Sequence, residues 1–295
     1  KFFMFIHIFV MEGTKPTTSQ AADVQREHWR GAVALKLELH PDEVTTVPPP
    51  APLFVLAPRL GYLPQVAQQA LEHFGSVLPP GENEIWFEYQ GVPLKWHIPT
   101  GSLFDLLSEG DGQYPWCLTV HFRSYPRNIL QQVTGDSMQA SYFNSLKESA
   151  YVLTGSSNSV MSLTKKSQQE LWQNVLQSQD VEFFANMQKM DLAKPTRSRI
   201  PIRVYHREKV FDSFTGWKSI DYLSKSFDID AEKDELTARH LFRDCLKSHS
   251  EEELGKVKLV VAGVELSLDV NVGDMYSHLK NADNWLYLVL KPATS

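Results

Sequence analysis

The sequence predicts an α+β protein in which two similar mixed domains flank a helix-rich region. One order of strand and helix patterns occurs twice along the chain, and the stretch between the two copies shows helical spacing alone. The 295 residues are 42% hydrophobic and 22% charged, which is enough to bury more than one core. This composition excludes collagen-like and wholly disordered chains.

The first copy begins with two strands and a helix. Apolar and polar residues alternate from Val33 to Leu39, which is the period of a half-buried strand. A proline-rich turn leads to a second apolar run, Leu53–Leu56, and apolar residues then recur at helical spacing from Val66 to Phe74. The predicted order is strand, strand, helix.

A hairpin, a short helix and a closing strand complete the first copy. The aromatic run Ile85–Tyr89, a Gln-Gly turn and the segment Val92–His97 predict the hairpin. Leu103–Leu107 has helical spacing, and the strand Trp116–Phe122 has Leu118, Val120 and Phe122 on one face. The full order is ββαββαβ.

The middle of the chain, roughly residues 136–193, predicts helices only. One apolar stripe runs from Tyr142 to Leu153 and a second from Leu171 to Met187. The Gly-, Ser- and Asn-rich residues 154–159 predict a loop between the two stripes.

The second copy repeats the order of the first. Its predicted elements are a strand at Ile200–Val204, a less regular strand between Lys209 and Ile220, a helix at Leu236–Leu246, a hairpin formed by Val257–Ala262 and Val264–Leu268, a helix at Met275–Leu279 and a strand at Trp285–Leu290. Hairpin, helix, hairpin and closing strand make a mixed sheet with one covered face. The chain is therefore predicted to contain two ubiquitin-like (β-grasp) domains flanking a helix-rich region.

These patterns predict five segments. Residues 1–22 form a disordered N-terminal segment, 23–32 an N-terminal helix, 33–125 the first ubiquitin-like domain, 126–196 the helix-rich domain and 197–295 the second ubiquitin-like domain. The apolar residues 1–10 are too few to span a bilayer, and the sequence after Met11 lacks a signal-peptide cleavage pattern. We expect the native chain to start at Met11.

Charge and cysteine content restrict the partners and the compartment. The net charge is −6 and the isoelectric point is near 5.9, so no overall positive field favours nucleic acid as a partner. Cys117 and Cys245 are the only cysteines, and neither has a second ligand at zinc spacing. Two lone thiols favour a reducing compartment, so we expect a cytoplasmic protein without metal or cofactor.

The sequence lacks the common signatures of hydrolases, nucleotide-binding enzymes and metalloproteases, which favours a non-catalytic protein. Cys117 lies in an apolar strand and is expected to be buried and inert. The alternative is a thioester enzyme in which His97 or His121 lowers the pKa of Cys117. Because the C-terminal residues Lys291–Ser295 contain no glycine, we do not expect the chain to be a conjugated modifier itself.

Lys147 lies on the first helix of the middle region. At helical spacing it falls ~40° from Phe143 and ~60° from Ala150, at the edge of the apolar stripe. Its stem can pack there while its amine stays in water. Spacing alone leaves two interpretations open, a border lysine without function or an oriented amine that attacks a thioester.

The segment Ile85–His97 closely resembles the autophagy protein 5 family. Further blocks follow in the family's order: Gly101–Leu107, Pro115–Phe122, Leu171-Trp172, Ile200–Tyr205 and Asp283-Asn284. The resemblance covers about Asp23 to Pro292 and implies two ubiquitin-like domains flanking a helix-rich region, in agreement with the order of the patterns.

The resemblance also implies a function. The pair Lys147-Glu148 matches the family's acceptor motif, so Lys147 would receive the C-terminal glycine of the ubiquitin-like autophagy protein 12 through an isopeptide bond. Lys165 and Lys166 lie past the loop and do not match that motif. The conjugate, with autophagy protein 16, would act as an E3-like factor that promotes transfer of autophagy protein 8 from its E2 to phosphatidylethanolamine during autophagosome formation. The alternative is an unconjugated ubiquitin-like interaction adaptor.

The resemblance finally implies two surfaces. An amphipathic helix of autophagy protein 16 would bind a groove between the two ubiquitin-like domains and the middle region. Trp29, Trp217 and Phe214 are candidates to line it, with core packing as the alternative role for each. The cytoplasmic protein would be recruited peripherally to the pre-autophagosomal membrane, and the scattered basic residues Arg197, Arg199, Arg203 and Arg207 either contact that membrane or form a solvated face.

Overall fold

The computed structural model describes residues 18–108, 114–190, 199–207, 216–228, 236–246 and 255–292. In these residues two five-stranded mixed sheets flank a group of helices. The predicted α+β architecture is therefore confirmed.

The first sheet consists of β1 (Ala32–Leu39), β2 (Leu53–Pro58), β3 (Trp86–Tyr89), β4 (Val92–Pro93) and β5 (Trp116–His121), in the order β2-β1-β5-β3-β4. Its helices are α2 (Ala67–Phe74) and α3 (Thr100–Leu107). The central strands β1 and β5 run parallel and the other pairs are antiparallel. Alternate residues of β1 are buried, as the sequence pattern predicts.

The second strand of the first hairpin is shorter than predicted. It ends at Pro93, whereas the sequence pattern extends to His97. Leu94, Trp96 and Ile98 are all buried, but they reach the core from an irregular segment. An alternating apolar pattern indicates that every second residue is buried, but it does not require a strand. Here an irregular segment with a turn buries the same alternate residues.

The helix-rich region contains α4 (Gly135–Thr154), α5 (Asn158–Met161), α6 (Lys165–Leu176) and α7 (Asp180–Lys189). The N-terminal helix α1 (Thr18–Arg30) packs against it through Trp29. Residues 18–22, predicted to be the end of a disordered segment, are helical and form the start of α1. The predicted loop at 154–159 already includes the start of α5. The second predicted stripe divides into two helices near Ser178, which has a φ of 53°.

The second sheet consists of β6 (Arg199–Arg207), β7 (Ile220–Asp228), β8 (Val257–Val261), β9 (Val264–Leu266) and β10 (Leu286–Pro292), in the order β7-β6-β10-β8-β9. Its helices are α8 (Ala238–Leu246) and α9 (Val272–Leu279). Strands β6 and β10 are parallel, as β1 and β5 are in the first sheet. The two domains share one topology.

The strand predicted between Lys209 and Ile220 is misplaced. The observed strand β7 begins at Ile220, and residues 208–215 lie outside the described residues. Strand β7 lies at the edge of its sheet, and Phe227 is its only buried residue. An edge strand exposed over most of its length carries too little apolar alternation to be placed from sequence.

The two ubiquitin-like domains touch. Tyr205, Trp285 and Val289 of the second domain belong to the same apolar cluster as Leu37 and Phe104 of the first. This shared core brings the start of β10 close to α4, where the candidate site lies.

Candidate functional site

Helix α4 carries Lys147 and has defined ends. At its N-terminus the Thr134 hydroxyl accepts the Ser137 N–H at 3.0 Å, and the Thr134 N–H donates to the Ser137 hydroxyl at 2.7 Å. At its C-terminus Gly155 has a φ of 80°, a left-handed conformation that glycine adopts without strain. These caps fix the limits of a helix of 20 residues.

Lys147 lies at the edge of the buried stripe of α4. The stripe residues are all buried: Tyr142, Phe143, Leu146, Ser149, Ala150 and Leu153. Lys147 itself is half-buried. Its ammonium makes no hydrogen bond or ion pair with the described residues, whereas the neighbouring Glu148 is paired with an arginine.

Hydrogen bonds from Ser145 and Ser149 to Asp283, and from Trp285 to Ser145, fasten α4 to the turn before β10. This set of contacts is called the clamp below. The Ser145 hydroxyl donates to Asp283 Oδ2 at 2.6 Å, and the Ser149 hydroxyl lies 2.7 Å from the Asp283 carbonyl. The Trp285 indole N–H donates to the Ser145 carbonyl at 3.0 Å. The first helix of the middle region is thereby fixed to the second ubiquitin-like domain.

Arg203 of β6 links the clamp to Glu148. Its guanidinium lies 3.1 Å from the Glu148 carboxylate and 3.3 Å from that of Asp283, and its centre is 4.2 Å from the Trp285 ring centroid. It also donates to the Tyr287 hydroxyl at 2.7 Å. Asp283 is only 1% exposed, so this arginine compensates a charge that water does not reach.

Tyr287 completes this network. Burial, followed by the Asp283 carboxylate, raises the pKa of Tyr287 well above its usual value. The phenol therefore stays protonated and donates to Asp283 Oδ2 at 2.8 Å while it accepts from Arg203. Asn284, next in the chain, has a φ of 62°, a conformation that asparagine tolerates better than most residues. The pair Asp283-Asn284 thus supplies a buried carboxylate and a tight turn.

A cleft of about 470 Å³ lies beside α4, between all three regions of the chain. Its lining residues are Tyr62, Lys95, His97, Ile98, Gln131, Ser137, Ala140, Ser141, Asn144, Ser145, Glu148, Arg203, Tyr205, Trp217, Ile220, Tyr222 and Asp283. Lys147 is not among them. At helical spacing its side chain points about 100° away from that of Glu148. The amine and the cleft therefore occupy neighbouring but distinct surfaces.

Charged and aromatic groups meet in the cleft. Burial, and then the nearby Lys95 and Arg203 charges, lowers the pKa of His97 to about 4, so that its ring is neutral at pH 7. The Lys95 ammonium lies 4.7 Å from the Trp217 ring centroid, and burial lowers its pKa. The Trp217 indole donates to the Pro93 carbonyl at 2.8 Å, which links the two ubiquitin-like domains across the cleft.

The three aromatic residues proposed to line the groove have different positions. Trp217 is half-buried and lines the cleft. Trp29 is 5% exposed and packs 4.4 Å from Phe183 between ring centroids, outside the cleft. Phe214 lies outside the described residues.

Of the four arginines proposed to contact a membrane, Arg207 is buried and Arg203 is mostly covered, with a side chain that is 13% exposed. Arg203 belongs to the clamp, and Arg207 is 2% exposed and donates to the Leu106 carbonyl at 3.2 Å. Their strand face is covered by α4 and the first domain, a tertiary contact that the sequence pattern does not contain. Arg199 is exposed and paired with Asp228 at 2.6 Å, and residue 197 lies outside the described residues.

The prediction that Cys117 is buried is wrong. Cys117 is exposed, because Trp116, Leu118 and Val120 alternate with it and take the core face of β5. Its thiol lies 3.6 Å from the Pro115 carbonyl, its only hydrogen bond among the described residues. His121 is four residues away, about 13 Å along the strand. The side chain of Cys245 lies outside the described residues.

The described residues show two further features relevant to function. No group of three or more His, Cys, Asp or Glu side chains is placed to hold a metal ion there. No helix in this part of the chain is both long and apolar enough to cross a membrane.

Sequence reasoning missed the residues that hold α4. Ser145 and Ser149 look like ordinary polar positions of a helix, and Arg203 looks like a surface charge. The signal that could have found Ser149 is its spacing, because it lies three residues from Leu146 and four from Leu153 within the apolar stripe. A serine on a buried face needs a hydrogen-bond partner.

Family models of "Autophagy protein ATG5" match the chain in three consecutive parts. The UblA domain model matches residues 28–122, the alpha-helical bundle region 135–190 and the UblB domain 199–290. These parts correspond to the first sheet, the helix-rich region and the second sheet of the structure.

Similar proteins and a similar structure agree with this match. Autophagy protein 5 of Oryza sativa subsp. indica is 38% identical over 264 residues, covering 77% of this chain and 69% of the rice protein. That of Arabidopsis thaliana is 32% identical over 321 residues, covering 88% and 95%. The crystal structure of Kluyveromyces marxianus Atg5 matches the fold with a TM-score of 0.77 at 22% identity, covering 92% of this chain and 100% of that one. This chain belongs to the autophagy protein 5 family.

Proposed function

We propose that Lys147 accepts the C-terminal carboxyl group of the ubiquitin-like autophagy protein 12. The chain is then a non-catalytic scaffold. The conjugate, together with autophagy protein 16, acts as an E3-like factor that promotes conjugation of autophagy protein 8 to phosphatidylethanolamine during autophagosome formation. The protein is cytoplasmic and makes transient peripheral contact with the pre-autophagosomal membrane.

The observation that carries this proposal is the contrast between Lys147 and its helix. The helix is fixed by Ser145, Ser149 and Glu148, whereas the Lys147 ammonium has no partner among the described residues. An acceptor amine needs this combination, because it must reach a thioester in another protein while its backbone keeps a defined position. Membership of the autophagy protein 5 family is the second support.

The chemistry requires little from this chain. The Lys147 Nζ, once deprotonated, attacks the thioester carbonyl that joins the modifier to its E2 cysteine. The C–S bond breaks, the thiolate leaves with the E2, and an amide bond forms between Nζ and the terminal glycine. The E2 supplies the activated carbonyl and the group that takes the proton.

The cleft beside α4 is the proposed site for the amphipathic helix of autophagy protein 16. It lies between both ubiquitin-like domains and the helix-rich region, and it combines Trp217, Tyr222 and Ile98 with the charged groups of Lys95 and Glu148. Apolar side chains of a bound helix would pack on the aromatic residues, and its polar side chains would meet the charged rim. Because Lys147 does not line the cleft, one chain can hold both partners.

Reconstituted conjugation tests the acceptor. Purified autophagy protein 12 with its E1, its E2 and ATP is incubated with the wild type, Lys147→Arg, Lys165→Arg or Cys117→Ala. We expect a band of higher mass that resists reducing agent with every chain except Lys147→Arg. Lys165→Arg is the matched control, since Lys165 is an exposed lysine of the same region.

The alternatives give other patterns. An unconjugated adaptor gives no resistant band with any chain. A thioester enzyme gives a band that reducing agent removes and that Cys117→Ala abolishes. If Lys147→Arg still yields the resistant band, the acceptor is a different residue.

A further inference from the structure

A second cavity, of about 430 Å³, lies between α1, α7 and α9. Most of its wall area is apolar, with Trp29, Phe183, Phe184, Met187 and Tyr276 among the lining residues, and nine polar or charged side chains also line it. The Trp29 ring centroid lies 4.4 Å from that of Phe183 and 5.5 Å from that of Phe184, so the aromatic wall is continuous. A cavity of this size with apolar walls and a few polar groups is typical of a small-molecule site.

Lys280 supplies the charge of this cavity. It follows the last turn of α9, lines the cavity, and places its Nζ 5.0 Å from the Tyr276 ring centroid. Its ammonium has no carboxylate at ion-pair distance among the described residues. Burial lowers the pKa of Lys280 to about 8, which leaves it mostly protonated at pH 7. A positive charge held against aromatic rings without a counter-ion favours an anion beside it.

The other titratable groups that line the cavity do not neutralise this charge. Asp274 is exposed at the first turn of α9 and lies six residues from Lys280, about 9 Å along the helix. Burial, with the nearby Arg59 charge, lowers the pKa of His28 to about 4, so its ring is neutral. The cavity therefore combines an aromatic wall with one partly buried positive charge.

We propose that this cavity binds a small organic anion with an apolar body and one carboxylate, of the class of the aromatic carboxylates. The carboxylate pairs with Lys280, and the apolar body packs on Trp29 and Phe184. None of the residues of α4 lines this cavity, so the proposal stands apart from conjugation at Lys147. A bound ligand would connect the N-terminal helix, the helix-rich region and the second ubiquitin-like domain, and would stabilise the folded chain by mass action.

Isothermal titration calorimetry on the full chain tests this site with two probes of similar shape. We expect naphthalene-2-carboxylate to bind at least tenfold more tightly than the uncharged naphthalene-2-methanol at pH 7. Lys280→Met should remove that preference, and Phe184→Ala should weaken both probes. Lys189→Met is the matched control, because Lys189 is an exposed lysine on α7 that does not line the cavity.

A measurement on the unchanged protein avoids any effect of substitution on folding. The affinity of the wild type for the carboxylate should fall severalfold between pH 7 and pH 9, while its affinity for the alcohol stays constant. Equal affinity for both probes, a preference that survives in Lys280→Met, or no binding of either probe would each overturn the proposal. None of these readouts depends on conjugation, so the proposed function can fail or hold independently.

Discussion

The Asp105 carboxylate in the first ubiquitin-like domain accepts the backbone N–H of Gly263 in the second at 2.9 Å. The same carboxylate pairs with Arg59 at 2.5 Å, and both side chains of the pair are less than a tenth exposed. Gly263 lies at the turn between β8 and β9 with a φ of 83°. A buried ion pair of one domain is thus completed by the backbone of the other.

This contact predicts that Gly263→Ala destabilises the chain. A Cβ at Gly263 would lie 2.8 Å from Arg59 Cζ, in addition to the left-handed backbone strain of about 1 kcal/mol. Gly91→Ala is the matched control, since Gly91 has the same φ of 83° and no atom within 4 Å of the added Cβ. Urea denaturation should show a larger loss for Gly263→Ala. Equal losses would mean that the Arg59 contact contributes nothing.

Removal of the Arg203 guanidinium should destabilise the clamp. Arg203→Met leaves the Asp283 carboxylate buried without its cation, a change that costs about 3–5 kcal/mol in buried pairs. Arg199→Met removes an exposed ion pair of the same strand and should change the free energy of unfolding by less than about 1 kcal/mol. Chemical denaturation of both variants measures the difference. Similar values for the two variants would show that Arg203 does not compensate the buried Asp283 carboxylate.

Ser149→Ala should lower the stability by about 1 kcal/mol, because it removes the hydroxyl beside the Asp283 carbonyl. Ser277→Ala serves as the control, since the Ser277 hydroxyl is exposed and donates to the Gly273 carbonyl of its own helix, its single partner among the residues that the structure describes. The rate of conjugation at Lys147 should fall with Ser149→Ala and stay unchanged with Ser277→Ala. An unchanged rate in both would show that the clamp does not position the acceptor.

Trp217→Ala should weaken binding of the autophagy protein 16 helix at least tenfold, or about 1.4 kcal/mol, if that helix occupies the cleft. Tyr151→Ala is the control, because Tyr151 is an aromatic residue of α4 that is 62% exposed and does not line the cleft. Fluorescence anisotropy of a labelled peptide gives both affinities. A peptide that binds both variants with equal affinity occupies another surface.

Acid should destabilise the protein through His28. Its folded pKa of about 4 is below the ordinary 6.5, so the unfolded chain binds more protons between these values. The contribution of neutral His28 to the free energy of unfolding is therefore fully present above pH 6.5 and is lost as the pH falls toward 4. The size of this contribution is about 1.4 kcal/mol for each unit by which the folded and unfolded pKa values differ. Denaturation at several pH values should give His28→Gln a shallower dependence than the wild type. Identical slopes would exclude His28 as a source of acid sensitivity.

Most of the fold could be predicted from sequence because its central strands are half-buried. Strand β1 alternates between core and solvent and is visible in the sequence, whereas the edge strand β7 buries only Phe227 and was misplaced. On β5 the same alternation was overlooked at one position. The apolar neighbours of Cys117 suggested burial, but the alternation itself places Cys117 on the other face.

The site was predictable only in part. Helical spacing placed Lys147 at the edge of an apolar stripe, where the structure has it, whereas its proposed acceptor role depends on the family resemblance. The clamp on its helix depends on Asp283 and Trp285, which are more than 130 residues away in the chain. The low exposure of Arg203 and Arg207 likewise arises from contacts between regions distant in the chain, and local sequence patterns carry no information about such contacts.

The distance in sequence between Ser149 and Asp283, 134 residues, has a consequence for synthesis. A ribosome completes the lysine-bearing helix long before it makes the turn that fastens it. A chain that stops short of that turn carries the same amine on a helix without its anchor. If Lys147 is the acceptor, attachment of the modifier to a product that lacks this turn is disfavoured, because the helix that carries the amine has lost its anchor.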